Sequence, residues 1–129
     1  MKIRSILVFH LFCGLAIMSG QARAFGEAFQ QARFDSLNKD GAPVLVHIHA
    51  SWCGTCRTQD KRLKALFQSP ENKGIVALEV NFDQQKDAVR AFQARNQSVL
   101  IGFKSGKEVD RLVGETRESA IADLLERLR

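Results

Sequence analysis

A short buried-strand pattern running straight into a helical one is the feature that most limits what this chain can fold into. "PVLVHIHA" (Pro43 to Ala50) is β-branched and apolar and too short for a helix, so it predicts a buried strand. From Cys53 a helical pattern runs through Leu63, Leu66 and Phe67 and stops near Ser69-Pro70, because proline cannot continue it. "GIVALEVNFD" (Gly74 to Asp83) predicts a second long strand, and "QQKDAVRAFQARN" a helix with Ala88, Val89 and Phe92 on one face. "SVLIGFKSGKEVDRLVG" predicts two short strands around Lys104-Ser105-Gly106-Lys107, a hairpin signal. "RESAIADLLERLR" closes with a helix carrying Ile121, Leu124, Leu125 and Leu128. Upstream, "EAFQQARFDSLNKDG" (Glu27 to Gly41) places Phe29, Ala32 and Leu37 at helix-like spacing. The order α-β-α-β-α-β-β-α predicts an α/β fold. The first two long strands pair in parallel and the hairpin adds an antiparallel pair, giving a mixed four- to five-stranded sheet with helices on both faces.

The first 24 residues read differently. Lys2 and Arg4 precede the apolar run "ILVFHLFCGLAIM" (Ile6 to Met18), and "ARA" (Ala22 to Ala24) has the small-x-small pattern of a cleavage site. The run is short for a membrane span, which needs about 20 apolar residues. The expectation is a signal peptide over 1–24 and one domain over 25–129. Without Lys2, Arg4 and Arg23, sixteen basic residues face fourteen acidic ones. The net charge of about +2 and the lack of a basic run with interleaved aromatics argue against a nucleic-acid partner. Cys13 leaves with the signal, so the domain keeps only Cys53 and Cys56. In an exported protein these can close on each other.

Cys53 and Cys56 admit three chemistries on the residues alone: a redox couple, part of a metal site, or an inert disulfide. Zinc normally takes four protein ligands, and there is no second Cys-x-x-Cys. His47 and His49, on one alternation of the strand, face the same side and could lend nitrogens. A redox couple uses the pair as it stands.

"WCGTC" (Trp52 to Cys56) at the strand-to-helix junction, "VNFDQ" (Val80 to Gln84) in the next strand, "FKSGKEV" (Phe103 to Val109) in the hairpin and Gly114 after it come in order. On these residues the chain resembles the thioredoxin family over essentially all of 25–129. The resemblance implies a thioredoxin-like fold and a thiol–disulfide oxidoreductase. Cys53, at a helix N-terminus that favours a thiolate, would be the nucleophile and Cys56 the resolving thiol. Gly54 and Thr55 would set the turn between them, and Trp52 would shield the disulfide and shape a docking surface.

Four positions depart from the family pattern. Six residues before the first cysteine, where the family has a buried Asp, stands His47. Two before the Asn of the next strand, where it has Lys, stands Glu79. This suggests an acid–base pair with exchanged signs, His47 accepting a proton from Cys56 and Glu79 orienting it; a hydrogen-bonded core histidine with Glu79 pointing outward is the other reading. His49 replaces a bulky aromatic and is expected to pack near the site. Where the family has a cis-proline, five before Phe103, stands Ser98. The Gln97–Ser98 bond is either cis, at about 2.5–4 kcal/mol, or trans in a loop of different shape.

The functional expectation is therefore an exported, periplasmic, monomeric enzyme exchanging disulfides with protein substrates in the reductive direction. Its electrons would come from a membrane-bound dithiol donor. No flavin or nicotinamide motif appears, so no cofactor is expected. The alternative is a soft-metal (copper) binding or chaperone protein using the same cysteines, a reading that the missing proline favours.

Overall fold

The computed structural model describes residues 25–129. The signal-peptide expectation for 1–24 lies outside the described residues. The elements are β1 (Glu27–Ala28), α1 (Gln31–Lys39), β2 (Val44–His49), α2 (Gly54–Leu66), β3 (Val76–Asn81), α3 (Lys86–Ala91), β4 (Val99–Lys104), β5 (Lys107–Val113) and α4 (Glu118–Leu128), with a 3-10 turn over Pro70–Asn72. They form one five-stranded sheet in the order β1-β3-β2-β4-β5. β2 runs parallel to β3 and antiparallel to β4, and β4 pairs antiparallel with β5. The expected mixed α/β sheet is the one observed.

One expectation is corrected. The segment from Glu27 does not enter a helix at once. Glu27 and Ala28 add a short edge strand parallel to β3, and Phe29 N–H donates to Glu79 O at 2.8 Å, so the helix starts only at Gln31. Two residues are too few to show a period of two, and Phe29 then packs in the core as a helical residue would.

Alternation along β2 sorts the core into two layers. Val44, Val46 and Ile48 join Phe34, Leu78, Phe92, Ile101 and Phe103 on one face. Leu45 joins Leu63, Leu100, Ile121, Leu124, Leu125 and Leu128 under α2 and α4 on the other. Burying each such side chain contributes about 1.5–3 kcal/mol. Gly102 lets α4 come close, because a Cβ there would lie 2.7 Å from a Leu128 methyl carbon and 3.0 Å from one of Leu124. His47 and His49 share the period of Leu45, so they too lie beneath α2, both buried.

β2 ends at the centre of the sheet, and the chain turns directly into α2. Cys53 N–H donates to Ala50 O at 3.1 Å, which folds the first cysteine back over the strand end. Pairing of β2 with β4 then brings Ser98 to the same place, its N–H donating to Ile48 O at 2.8 Å.

Candidate active site

Cys53 is the N-cap residue of α2, and its sulfur accepts the Cys56 backbone N–H at 3.1 Å. That is the capping role a serine or aspartate oxygen usually fills at a helix start. Both cysteines are free thiols, Cys53 at 4% exposure and Cys56 at 0%. The Ser98 hydroxyl lies 3.0 Å from the Cys53 sulfur and 3.1 Å from that of Cys56. A hydroxyl carries one proton, so it donates to one of the two sulfurs at a time.

The surroundings split the two thiols. Burial alone would raise the Cys53 pKa. Hydrogen bonds from Cys56, the Ser98 hydroxyl and the Cys56 N–H, with the charge of His49, outweigh it and hold Cys53 below the ordinary thiol value. For Cys56, burial and the bond to Cys53 push the pKa up. With Cys53 as thiolate, it accepts from both the Ser98 hydroxyl and the Cys56 S–H. A thiolate at the rim and a protonated thiol behind it suit attack by the first sulfur and later release by the second.

Ser98 resolves the question left open at Gln97–Ser98. Among the described residues there is no cis peptide bond, and Ser98 instead has φ +64°. That left-handed backbone is uncommon for a residue with a Cβ. It is held on both sides, by Ser98 N–H to Ile48 O and by Gly114 N–H to Ser98 O at 2.8 Å.

Beneath the thiols lies a buried polar network. Gln59, fully buried, donates from Nε2 to Ser98 O at 3.1 Å and to Glu115 O at 2.9 Å. Its Oε1 lies 2.9 Å from His47 Nε2, which therefore carries the proton of that bond. His47 Nδ1 lies 3.3 Å from Asp60 Oδ1, and His49 Nε2 lies 3.0 Å from Asp60 Oδ2. Glu79 approaches His49, its Oε1 3.7 Å from His49 Nδ1. Burial would raise the Asp60 pKa, but the two imidazoles beside it, His47 and His49, hold it well below the usual carboxylate range. Asp60 in turn raises that of His49. Burial raises that of Glu79.

Of the two readings of His47, the geometry matches the hydrogen-bonded core histidine. His47 and Glu79 are register neighbours across β2 and β3, but both ring nitrogens of His47 are turned to Gln59 and Asp60 of α2. The ion-pair contact of Glu79 is with His49. His49, expected to pack near the site, is the histidine between two carboxylates. Gln59 and Asp60 escaped the sequence reading. Their signal was present, since they fall three and four residues after Cys56 on the stripe that continues to Leu63.

The exposed side of the site is simpler. Trp52 is 58% exposed and its indole N–H donates to Asp83 Oδ2 at 2.8 Å, which fixes the ring beside the thiols. Gly54 is exposed and not sterically forced, because a Cβ there would meet only Arg57 at 3.7 Å. Thr55 is half-buried in the first turn of α2.

Comparison with known proteins agrees with this geometry. The family model described as Thioredoxin matches residues 26–127. Thioredoxin 1 of Nostoc sp. is 32% identical over 110 residues, covering 85% of this chain and 98% of its own. The thioredoxin of Alicyclobacillus acidocaldarius is 32% identical over 99 residues, covering 74% of this chain and 93% of its own. Among solved structures, Trxlp from Edwardsiella tarda superposes with a TM-score of 0.75 at 41% identity, over 77% of this chain and 96% of that one. With its five-stranded sheet and a dithiol capping the helix that follows the central strand, this chain belongs to the thioredoxin family and is a thiol–disulfide oxidoreductase built on the Cys53–Cys56 pair.

Proposed function

We propose that this protein is exported to a bacterial periplasm and there reduces disulfides of other proteins as a monomer, recharged by a membrane-bound dithiol donor. The observation that carries the reading is the Cys53 sulfur at the start of α2, accepting the Cys56 N–H and facing the Ser98 hydroxyl, with its pKa lowered while that of Cys56 is raised. Cys53 attacks the substrate disulfide, whose leaving sulfur departs as a thiol. Cys56 then attacks Cys53, closing the Cys53–Cys56 bond and releasing the second substrate thiol. The exposed Trp52 ring offers an apolar surface beside the reacting sulfur for an extended segment of substrate.

Export is supported by the charged, apolar and small-residue succession of 1–24. Among the described residues no helix is long and apolar enough to cross a membrane. The soft-metal alternative is less well supported. Among the described residues no histidine or carboxylate joins the two thiols in a three-ligand cluster, and the group facing both sulfurs is a serine hydroxyl, a poor ligand for a soft ion.

The test expresses the full chain in a bacterium and fractionates the cells. N-terminal sequencing of periplasmic material should begin at Phe25, and the purified protein should accelerate insulin reduction by dithiothreitol. Retention of the protein in the cytoplasm would sink the export reading. Failure to reduce insulin, with copper(I) surviving dialysis, would replace the reductase reading by the metal one.

A further inference from the structure

His49 ends β2 four residues before Cys53, and the Cys53 N–H to Ala50 O turn folds the cysteine back over that strand end. Its ring is almost closed off from solvent, its side chain 9% exposed. Both ring nitrogens face carboxylates, Nε2 that of Asp60 at 3.0 Å and Nδ1 that of Glu79 at 3.7 Å. A neutral imidazole offers one N–H and one lone pair, so it would turn a lone pair against one of these anions. An imidazolium offers an N–H to each. The two carboxylates come from different elements, Asp60 from the helix that Cys53 caps and Glu79 from β3, so the ring is gripped between helix and sheet. His47, at a ring-centroid distance of 5.2 Å, completes the surroundings and is committed to Gln59 and Asp60. The titratable groups facing His49 are thus Asp60 from α2, Glu79 from β3, His47 from its own strand and Cys53 from the turn.

We propose that His49, clamped by Asp60 and Glu79 beneath the dithiol, carries a proton as the counter-charge of the Cys53 thiolate, so that the imidazolium holds its proton more tightly in the reduced protein than in the oxidised one. The balance is complete. A donor dithiol gives two electrons and two protons; its own S–S bond forms as the Cys53–Cys56 bond breaks. Cys56 takes one proton as S–H, the other passes to solvent, and Cys53 remains a thiolate facing the imidazolium already in place. The charge of His49 and the thiolate each favour the other form, as the mutual influence of the two groups indicates. His49 thereby stabilises the reduced state and keeps an attacking thiolate available near neutral pH. Asp60 is the positioning residue that holds the imidazolium.

The test uses the whole folded domain in both redox states. Isotope-labelled His49 should titrate at a higher pH in the reduced protein than in the oxidised one by NMR. Equal titration in both states would overturn the proposal without any substitution. In His49→Gln, checked for folding by circular dichroism, the thiolate absorbance at 240 nm should appear about one pH unit later. Its equilibrium with glutathione should favour the oxidised form about tenfold, a shift of about 30 mV for a two-electron couple. An unchanged thiolate midpoint in folded His49→Gln would also overturn it. Asp60→Asn separates the routes by sign. Removing a negative charge that acted on the sulfur directly would lower the Cys53 midpoint. Loss of the imidazolium's clamp raises it, and adding Asp60→Asn to His49→Gln then brings no further rise. A lower midpoint in Asp60→Asn alone would overturn the role given to the pair.

Discussion

Ser98 Oγ stands 3.0 Å from the Cys53 sulfur on a backbone with φ +64°, so one residue both solvates the reacting thiol and occupies a conformation that few side chains tolerate. The two properties separate by mutation. Ser98→Ala removes the hydroxyl and keeps the strain. A hydrogen bond to a charged group contributes about 1.5–3 kcal/mol, and one pKa unit is about 1.4 kcal/mol, so the Cys53 thiolate should form about one unit later in pH. Absorbance at 240 nm against pH reads this directly, and an unmoved midpoint would mean that the hydroxyl does not donate to Cys53.

Backbone variants at the same residue should diverge. Ser98→Gly relieves a left-handed conformation that costs about 1–2 kcal/mol, so stability should hold or rise while the thiol shift of Ser98→Ala persists. Ser98→Pro, which would suit the family's usual loop, requires φ near −65° and deletes the N–H that Ile48 O accepts at 2.8 Å. A loss of at least about 2 kcal/mol in urea unfolding is expected. A stable Ser98→Pro protein would show that the loop converts readily to a different backbone.

Gln59 is the structural tie of the site, joining His47, Ser98 O and Glu115 O while fully buried. Gln59→Leu keeps the volume but leaves the Glu115 carbonyl and an imidazole N–H without partners, while Ser98 O keeps the Gly114 N–H. Each costs about 1–3 kcal/mol, so the variant should lose about 2 kcal/mol or more in equilibrium unfolding. A loss below about 1 kcal/mol would mean that water replaces the amide.

Brief iodoacetamide treatment of the reduced protein near neutral pH should label Cys53 first, since its pKa is lowered and that of Cys56 raised. Peptide mapping decides it. Cys56→Ser should accumulate mixed disulfides with substrate proteins on non-reducing gels, and Cys53→Ser should not. Equal labelling of both thiols would remove the assignment of nucleophile.

The pH dependence of stability has two limbs of opposite sign. The Asp60 carboxyl is held low in the folded state, so its contribution is present above the unfolded value of about 3.9 and lost as pH falls through that range. His49 is raised, so its contribution is present below about 6.5 and lost as pH rises through its folded value. Together they place the greatest stability between about pH 4 and 6.5. Glu79, raised by burial, opposes this once it ionises. Urea unfolding from pH 3 to 8 should show the acid limb flattened in Asp60→Asn, whereas Glu79→Gln should gain stability at neutral pH. An acid limb unchanged in Asp60→Asn would assign it to other carboxylates.

The periodicity of this chain determined its architecture. "PVLVHIHA" and "GIVALEVNFD" could only be buried strands, the hairpin announced itself at Lys104 to Lys107, and Cys53 and Cys56 stood where a strand turns into a helix. Those are local signals, carried by neighbours along the chain. Alternation in β2 also put His47 and His49 on one face. What covers that face could not be read locally. Gln59 and Asp60 reach the histidines because α2 crosses back over β2, and Glu79 meets His49 across a strand pairing between residues 30 apart in sequence. The φ of Ser98 and the bearing of its hydroxyl on both sulfurs depend likewise on contacts with Ile48 and Gly114. Residue types and spacing specify which chemistry is available. The long-range register of helix on sheet decides which histidine faces the carboxylates, because hydrogen bonds of this kind are selected by position within a few tenths of an ångström and no local pattern encodes that distance.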